Sequence, residues 1–138
     1  MKKILFVCAV NVARSQMAEA FYNKFTNSDD AISAGVDIQR QKKYTHPTQK
    51  VIDVMLEEEI DISDKKVKHI TPQMVNYSDQ IIVMCEKVDC PEFLLSSDEV
   101  IYWEISDPYK NSIEKFREIK NQVKSKVLEF IKKNSIAK

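Results

Sequence analysis

The segment Cys8-Ala9-Val10-Asn11-Val12-Ala13-Arg14-Ser15 sets a thiol and a guanidinium six positions apart. It follows the apolar run Ile4–Cys8 and precedes a stretch from Ser15 in which Met17, Phe21 and Phe25 recur every four residues. It therefore reads as the junction of a buried strand and a helix. Backbone N–H groups at such a junction face outward, and the helix dipole favours negative charge there. That field favours the thiolate of Cys8. Arg14 can return to the same anion as a planar fork that matches two oxygens of a tetrahedral group. Ser15 can donate a hydrogen bond to the sulfur, and Asn11 tolerates a left-handed backbone. The loop amides of Ala9, Val10, Val12 and Ala13 complete the cradle. The chemistry this arrangement supports is attack by sulfur on phosphate or arsenate. The plainer alternative is a buried cysteine closing a core strand and a surface arginine opening a helix.

Other reactive residues are fewer. Cys85 ends a later apolar run, and Cys90 follows five positions on. Asp107 precedes Pro108 after a fourth apolar run; taken alone it is a turn residue. Tyr44, Tyr102, Trp103 and Tyr109 are candidates for a pocket wall, although alternation in a strand puts at least one of Tyr102 and Trp103 in the core. The basic run Arg40–Lys43 is a candidate for attracting acidic substrates, but the plainer reading is a solvated charged stretch. His46 and His69 are isolated and show no ligand spacing, so no metal site is expected.

Four apolar runs alternate with helical patterns. The strands are expected at Ile4–Cys8, Ala31–Gly35, Gln80–Cys85 and Val100–Trp103. Helices are expected over Ser15–Phe25, from Pro47 to about Ile60, after a Thr71 cap, over Pro91–Leu95, and after an Asn111/Glu114 cap pair. A loop fills Val36–Tyr44, and the tail 134–138 is expected to fray. This alternation implies βαβ units and a parallel sheet, whose ligands sit beyond the carboxyl ends of the strands. Cys8, Cys85 and the segment after Trp103 all lie at such ends.

The 138 residues suit a single domain, 1–138. With 21 basic and 21 acidic side chains, the chain has no basic surplus for nucleic acid. No run is long enough for a membrane span, and the short apolar start reads as a strand rather than a signal peptide. Three cysteines, an odd number, fit free thiols in a reducing cytoplasm. Gly35 is the only glycine, so tight turns must lean on Asn, Asp and Ser.

Val7-Cys8, Asn11 and Arg14-Ser15, followed by Gln16-Met17-Ala18-Glu19, resemble the low-molecular-weight protein tyrosine phosphatases and the thioredoxin-coupled arsenate reductases of the same fold. Ser33-Ala34-Gly35, His46-Pro47-Thr48, Ile60-Asp61-Ile62-Ser63 and Asp107-Pro108-Tyr109 extend the resemblance along nearly the whole chain. It implies a three-layer α/β/α fold with a four-stranded parallel sheet in the order 2-1-3-4. It also implies Cys8 as nucleophile, Arg14 as oxyanion clamp, Asn11 and Ser15 as loop supports, Asp107 as general acid and Tyr109 at the pocket rim. One departure stands out: Val10 occupies a position where the family usually has Gly, and a β-branched residue resists positive φ.

The resemblance leaves three functions open. The first is hydrolysis of phosphomonoesters, protein phosphotyrosine foremost, through a phosphocysteine. The second is thioredoxin-coupled arsenate reduction, with Cys85 attacking the Cys8 adduct and Cys90 resolving the disulfide. The third is non-catalytic oxyanion binding. The first leads, because the Cys85–Cys90 spacing is shorter than the reductase pattern and Tyr109 is phosphatase-like. Glu19 and Ser33 match positions that help bind potassium in some reductases; Lys68 stands where an acidic ligand would be expected, so its ammonium replaces the ion. No cofactor is implied, and the expected state is a monomer acting on a phosphorylated protein or a small oxyanion.

Overall fold

The computed structural model describes residues 2–136. Ile4–Cys8 forms β1, buried along its whole length. It pairs in parallel with β2 (Ala31–Gly35) on one side and β3 (Gln80–Val83) on the other. The short β4 (Val100–Tyr102) pairs with β3, giving the order β2-β1-β3-β4. A strand buried on both faces needs apolar side chains pointing both ways, and Ile4-Leu5-Phe6-Val7 supplies them.

Ile4 and Phe6 face a core built by α1 (Arg14–Thr26), α3 (Gln49–Leu56) and α6 (Ile113–Ile136), with Met17, Phe21, Met55 and Ile119 fully buried. Leu5 and Val7 face the opposite layer, where Val75 of α4 (Pro72–Tyr77) and Leu94 of α5 (Glu92–Leu95) pack. The three-layer fold and the 2-1-3-4 order are as the resemblance implied. Trp103 is buried and Tyr102 exposed, as the strand alternation requires.

Local boundaries depart from the sequence reading. A short helix α2 (Ile38–Gln41) occupies the expected loop, because the Asp37 side chain accepts from the Arg40 amide at 3.1 Å and starts a turn. Pro47 lies outside α3, which runs only from Gln49 to Leu56 and is followed by a left-handed Glu59. β3 ends at Val83, before Met84 and Cys85, and the fourth strand stops at Tyr102. The cap of α6 is Ser112, whose hydroxyl accepts from the Lys115 amide at 3.3 Å; Asn111 turns back to the Tyr109 carbonyl instead. A 3-10 turn, Lys87–Asp89, separates the two later cysteines. The tail is helical through Ile136, and 137–138 lie outside the described residues. Positive φ falls on Asn11 and Asn27, as expected, but also on Glu59 and Lys110.

Candidate active site

β1 delivers Cys8 to the carboxyl edge of the sheet, and the chain then folds around the sulfur. The Asn11 amide donates to Cys8 Sγ at 3.3 Å, and Ser15 Oγ lies 2.9 Å away. Asn11 carries the left-handed turn, with φ 68°, whereas Val10 is not among the positive-φ residues. The loop thus closes without asking Val10 for a backbone that a β-branched residue resists.

Hydrogen-bond polarity around the sulfur follows from the donors available. Ser33 Oγ donates to the buried carboxylate of Glu19 at 2.8 Å, so it accepts from Asn11 Nδ2 at 3.0 Å. The other Asn11 Nδ2 proton goes to Ser15 Oγ at 2.7 Å. Ser15 is left with its own O–H for Cys8 Sγ. The Asn11 side-chain oxygen accepts from the Lys68 amide and from Gln16 Nε2. Lys65 and Lys68 ammonium groups lie 3.7 and 3.9 Å from Glu19. Burial pushes the Lys68 amine below its ordinary pKa, against the attraction of Glu19.

Cys8 is 2% exposed, yet it lies at the base of a cavity of about 310 Å³ walled by Val10, Val12, Ala13, Arg14, Tyr44 and Tyr109. The N-terminus of α1 beside it has Ala13 in the cap position and no side-chain cap, so its N–H groups face the cavity unclaimed by a side chain. Arg14 is buried and held from behind: Nη1 donates to the Met84 carbonyl and to the Ile105 carbonyl, the latter at 2.9 Å. Its Nη2 points to Asp107 Oδ2 at 3.7 Å. Asp107, 38% exposed, lines the same cavity and accepts from the Tyr109 amide at 3.0 Å. Cys8, Asn11, Arg14, Ser15, Asp107 and Tyr109 are therefore brought together.

Arg40 is the residue the sequence reading missed. Lys42 and Lys43 are solvated, but Arg40 turns inward, 3.5 Å from Asp107 and with its guanidinium 5.3 Å from the Tyr109 ring centroid. The lone glycine makes this possible. A Cβ on Gly35 would meet Gln41 Nε2 at 2.5 Å and the Ala9 carbonyl at 2.8 Å. That gap lets Gln41 tuck in and bond the Lys68 carbonyl at 2.7 Å, which fixes α2 beside the loop.

Cys85 and Cys90 form a separate pair, with sulfurs 4.0 Å apart and both thiols free. Met84 continues the β3–β1 ladder by donating to the Val7 carbonyl at 2.8 Å, which sets Met84 level with Cys8 and Cys85 one residue beyond it. A second cavity, of about 810 Å³, is lined by Ala9, Arg14, Arg40, Cys85 and Asp107, and by Trp103. Cys90 lines neither cavity. The shared hydrogen bond, then burial, pushes the Cys85 thiol well above the usual range, and the same bond lowers Cys90. Among the described residues, no His, Cys, Asp and Glu cluster suits a metal ion. His46 bonds the Pro47 carbonyl and His69 bonds Gln41.

A thiol at the end of a central parallel strand, under helix-start amides and one arginine fork, defines the class of cysteine-dependent enzymes of tetrahedral oxyanions. The chain belongs to the family described as low molecular weight phosphotyrosine protein phosphatase, whose model matches residues 3–138. A glutaredoxin arsenate reductase from Synechocystis sp. is 35% identical over 137 residues, 98% of this chain and 100% of the relative. A solved arsenate reductase in the phosphate binding state is 31% identical, with a TM-score of 0.81 over 96% of this chain and 98% of that one. Vibrio vulnificus Wzb in complex with benzylphosphonate shares the fold at 23% identity, with a TM-score of 0.84 over 96% and 98% of the two chains.

Proposed function

We propose that the chain is an arsenate reductase that runs a three-thiol relay, acting as a single-domain monomer. The observation that carries this reading is the Cys85–Cys90 pair, 4.0 Å apart at the carboxyl end of the strand next to Cys8. The arsenate reductase names among the relatives support the same choice.

The Cys8 thiolate attacks arsenate, an As–S bond forms, and an oxygen leaves as water with a proton supplied through Asp107. Asn11, Ser15, the loop amides and Arg14 hold the negative charge meanwhile. Cys85 gives up its proton to water and attacks Cys8 Sγ. The S–S bond forms, the As–S electron pair stays on arsenic, and As(III) leaves as arsenite. Cys90 then loses its proton to water and attacks Cys85, which frees the Cys8 thiolate and leaves a Cys85–Cys90 disulfide. A dithiol protein of the thioredoxin or glutaredoxin type reduces that disulfide. Three free thiols suit a cytoplasmic setting, and no helix of the described residues is long and apolar enough to cross a membrane.

A second reading, phosphomonoester hydrolysis, is favoured by one observation: Asp107 and the rings of Tyr44 and Tyr109 line the Cys8 cavity, where an aryl phosphate fits. Hydrolysis needs Cys8, Arg14 and Asp107 but neither later cysteine. The test is a side-by-side assay of dithiol-coupled arsenate reduction and aryl phosphate hydrolysis. With Cys85→Ser, reduction should fall at least ~100-fold, because the second electron-transfer partner is gone. Reduction unchanged in Cys85→Ser contradicts the relay, and hydrolysis alone in the wild type favours the phosphatase reading.

A further inference from the structure

Asp107 is held by two guanidiniums at one oxygen. Arg14 Nη2 lies 3.7 Å and Arg40 Nη2 3.5 Å from Asp107 Oδ2. The two arginines are not equivalent. Arg14 is buried and fixed from behind by the Met84 and Ile105 carbonyls, so it cannot follow Asp107 if that side chain moves. Arg40 is 38% exposed and rides on α2, whose position is set by Asp37 and Gln41 rather than by the oxyanion loop. Its guanidinium also lies over the Tyr109 ring, and the Tyr109 amide donates to Asp107 Oδ1 at 3.0 Å. Arg40 thus touches both ends of the Asp107-Pro108-Tyr109 turn.

A bound oxyanion changes this balance. It claims Arg14 Nη2, because a charge-assisted bond to a dianion outcompetes an ion pair at 3.7 Å. It also places like charge beside Asp107, which is free to swing into solvent. Among the described residues, Arg40 is the other cation paired with Asp107, and it opposes that motion. We infer that Arg40 is a positioning residue: it anchors the Asp107–Tyr109 turn and keeps Asp107 over the cavity once substrate has taken Arg14. This rests on the proton-transfer role given to Asp107 above. It applies equally to arsenate and to an aryl phosphate, since both need a proton delivered to the departing oxygen.

The test measures kcat and KM for whichever substrate the wild type turns over, in Arg40→Ala, Arg40→Lys, Asp107→Asn and the double variant Arg40→Ala/Asp107→Asn. Titration with inorganic phosphate runs in parallel. Arg40→Ala should lower kcat roughly tenfold or more, because misplacing a reacting group by about an ångström is costly, while KM and phosphate affinity change less than about threefold. Arg40→Lys should recover part of kcat, since a point charge keeps the ion pair but not the contact with Tyr109. The double variant should be no slower than Asp107→Asn alone, because Arg40 acts through Asp107. A rise in KM with kcat intact makes Arg40 a substrate-binding group and overturns the inference. Additive losses in the double variant overturn it too, as does wild-type kcat in Arg40→Ala. If Asp107→Asn itself keeps full activity, the Asp107 role fails first, and the Arg40 result is then read as the failure of that role.

Discussion

Two neighbouring strands lead to cysteines, Cys8 at the end of β1 and Cys85 two residues past β3, and the surroundings of those cysteines differ in kind. Cys8, at the end of β1, is met by the Asn11 amide, the Ser15 hydroxyl and an uncapped helix start, with Arg14 and Asp107 above it. Cys85, one step past the end of the β3 ladder, is met chiefly by another thiol, Cys90. The first environment is built to hold negative charge on sulfur and on a ligand. The second sets Cys85 against a thiol partner, and that hydrogen bond together with burial pushes the Cys85 thiol above its usual range. The same sheet edge therefore separates a nucleophile that acts first from a pair that acts only after an adduct has formed.

The comparison breaks most visibly at Cys8. Cys8→Ser should abolish arsenate reduction and aryl phosphate hydrolysis together, by at least ~1000-fold, because no other group begins either reaction. Residual hydrolysis near the wild-type rate in coupled assays would remove Cys8 from the first step.

A smaller effect is expected at the hub that orders the Cys8 environment. Asn11→Ala removes buried bonds to Ser15, Ser33 and Gln16 and puts alanine at a positive φ. Denaturant unfolding should show a loss of about 2–4 kcal/mol, since buried partners are left unpaired and the backbone is strained. A loss under half a kilocalorie would mean that the network does not carry the loop.

Cys90→Ser sharpens the contrast from the other side. The first turnover should proceed to a Cys8–Cys85 disulfide, while steady-state reduction with a dithiol protein slows roughly tenfold as the resolving thiol is lost. Mass mapping of the trapped bond reads this directly.

The smallest effect lies away from both cysteines. Glu57, paired bidentately with Arg117, has its carboxyl lowered from 4.5 to about 2, first by that hydrogen bond. A depressed carboxyl stabilises the fold fully above its unfolded value, and that contribution disappears as pH falls through the folded one. Acid unfolding of Glu57→Gln should therefore show a shallower loss of stability between pH 4.5 and about 2 than the wild type, with no difference in activity near neutrality.

The sheet and the Cys8 loop were legible because their signals are local. Continuous apolar runs mark strands buried on both faces, and the Cys8–Arg14 spacing lies inside one junction. Asn11 was recognisable as the left-handed residue for the same reason. Arg40 was not legible, because its role depends on Gln41 filling the space that Gly35 leaves, a contact between β2 and α2 that no spacing encodes. The Cys85–Cys90 pair was named through the resemblance, but its spacing read as too short; the 3-10 turn Lys87–Asp89 lies between them. Helix ends at Pro47 and Asn111 were misplaced: α3 starts only after Thr48, which makes no side-chain cap, and Ser112 rather than Asn111 caps α6.

The relay between the two strand ends is tested most directly by one turnover without any reductant. Fully reduced protein is mixed with arsenate, its free thiols are counted, and its disulfides are mapped. The account predicts that the three free thiols fall to one, with a Cys85–Cys90 disulfide, one arsenite released per chain and no change in Cys8→Ser. Three thiols persisting in the wild type, or the same disulfide forming in Cys8→Ser, would contradict it.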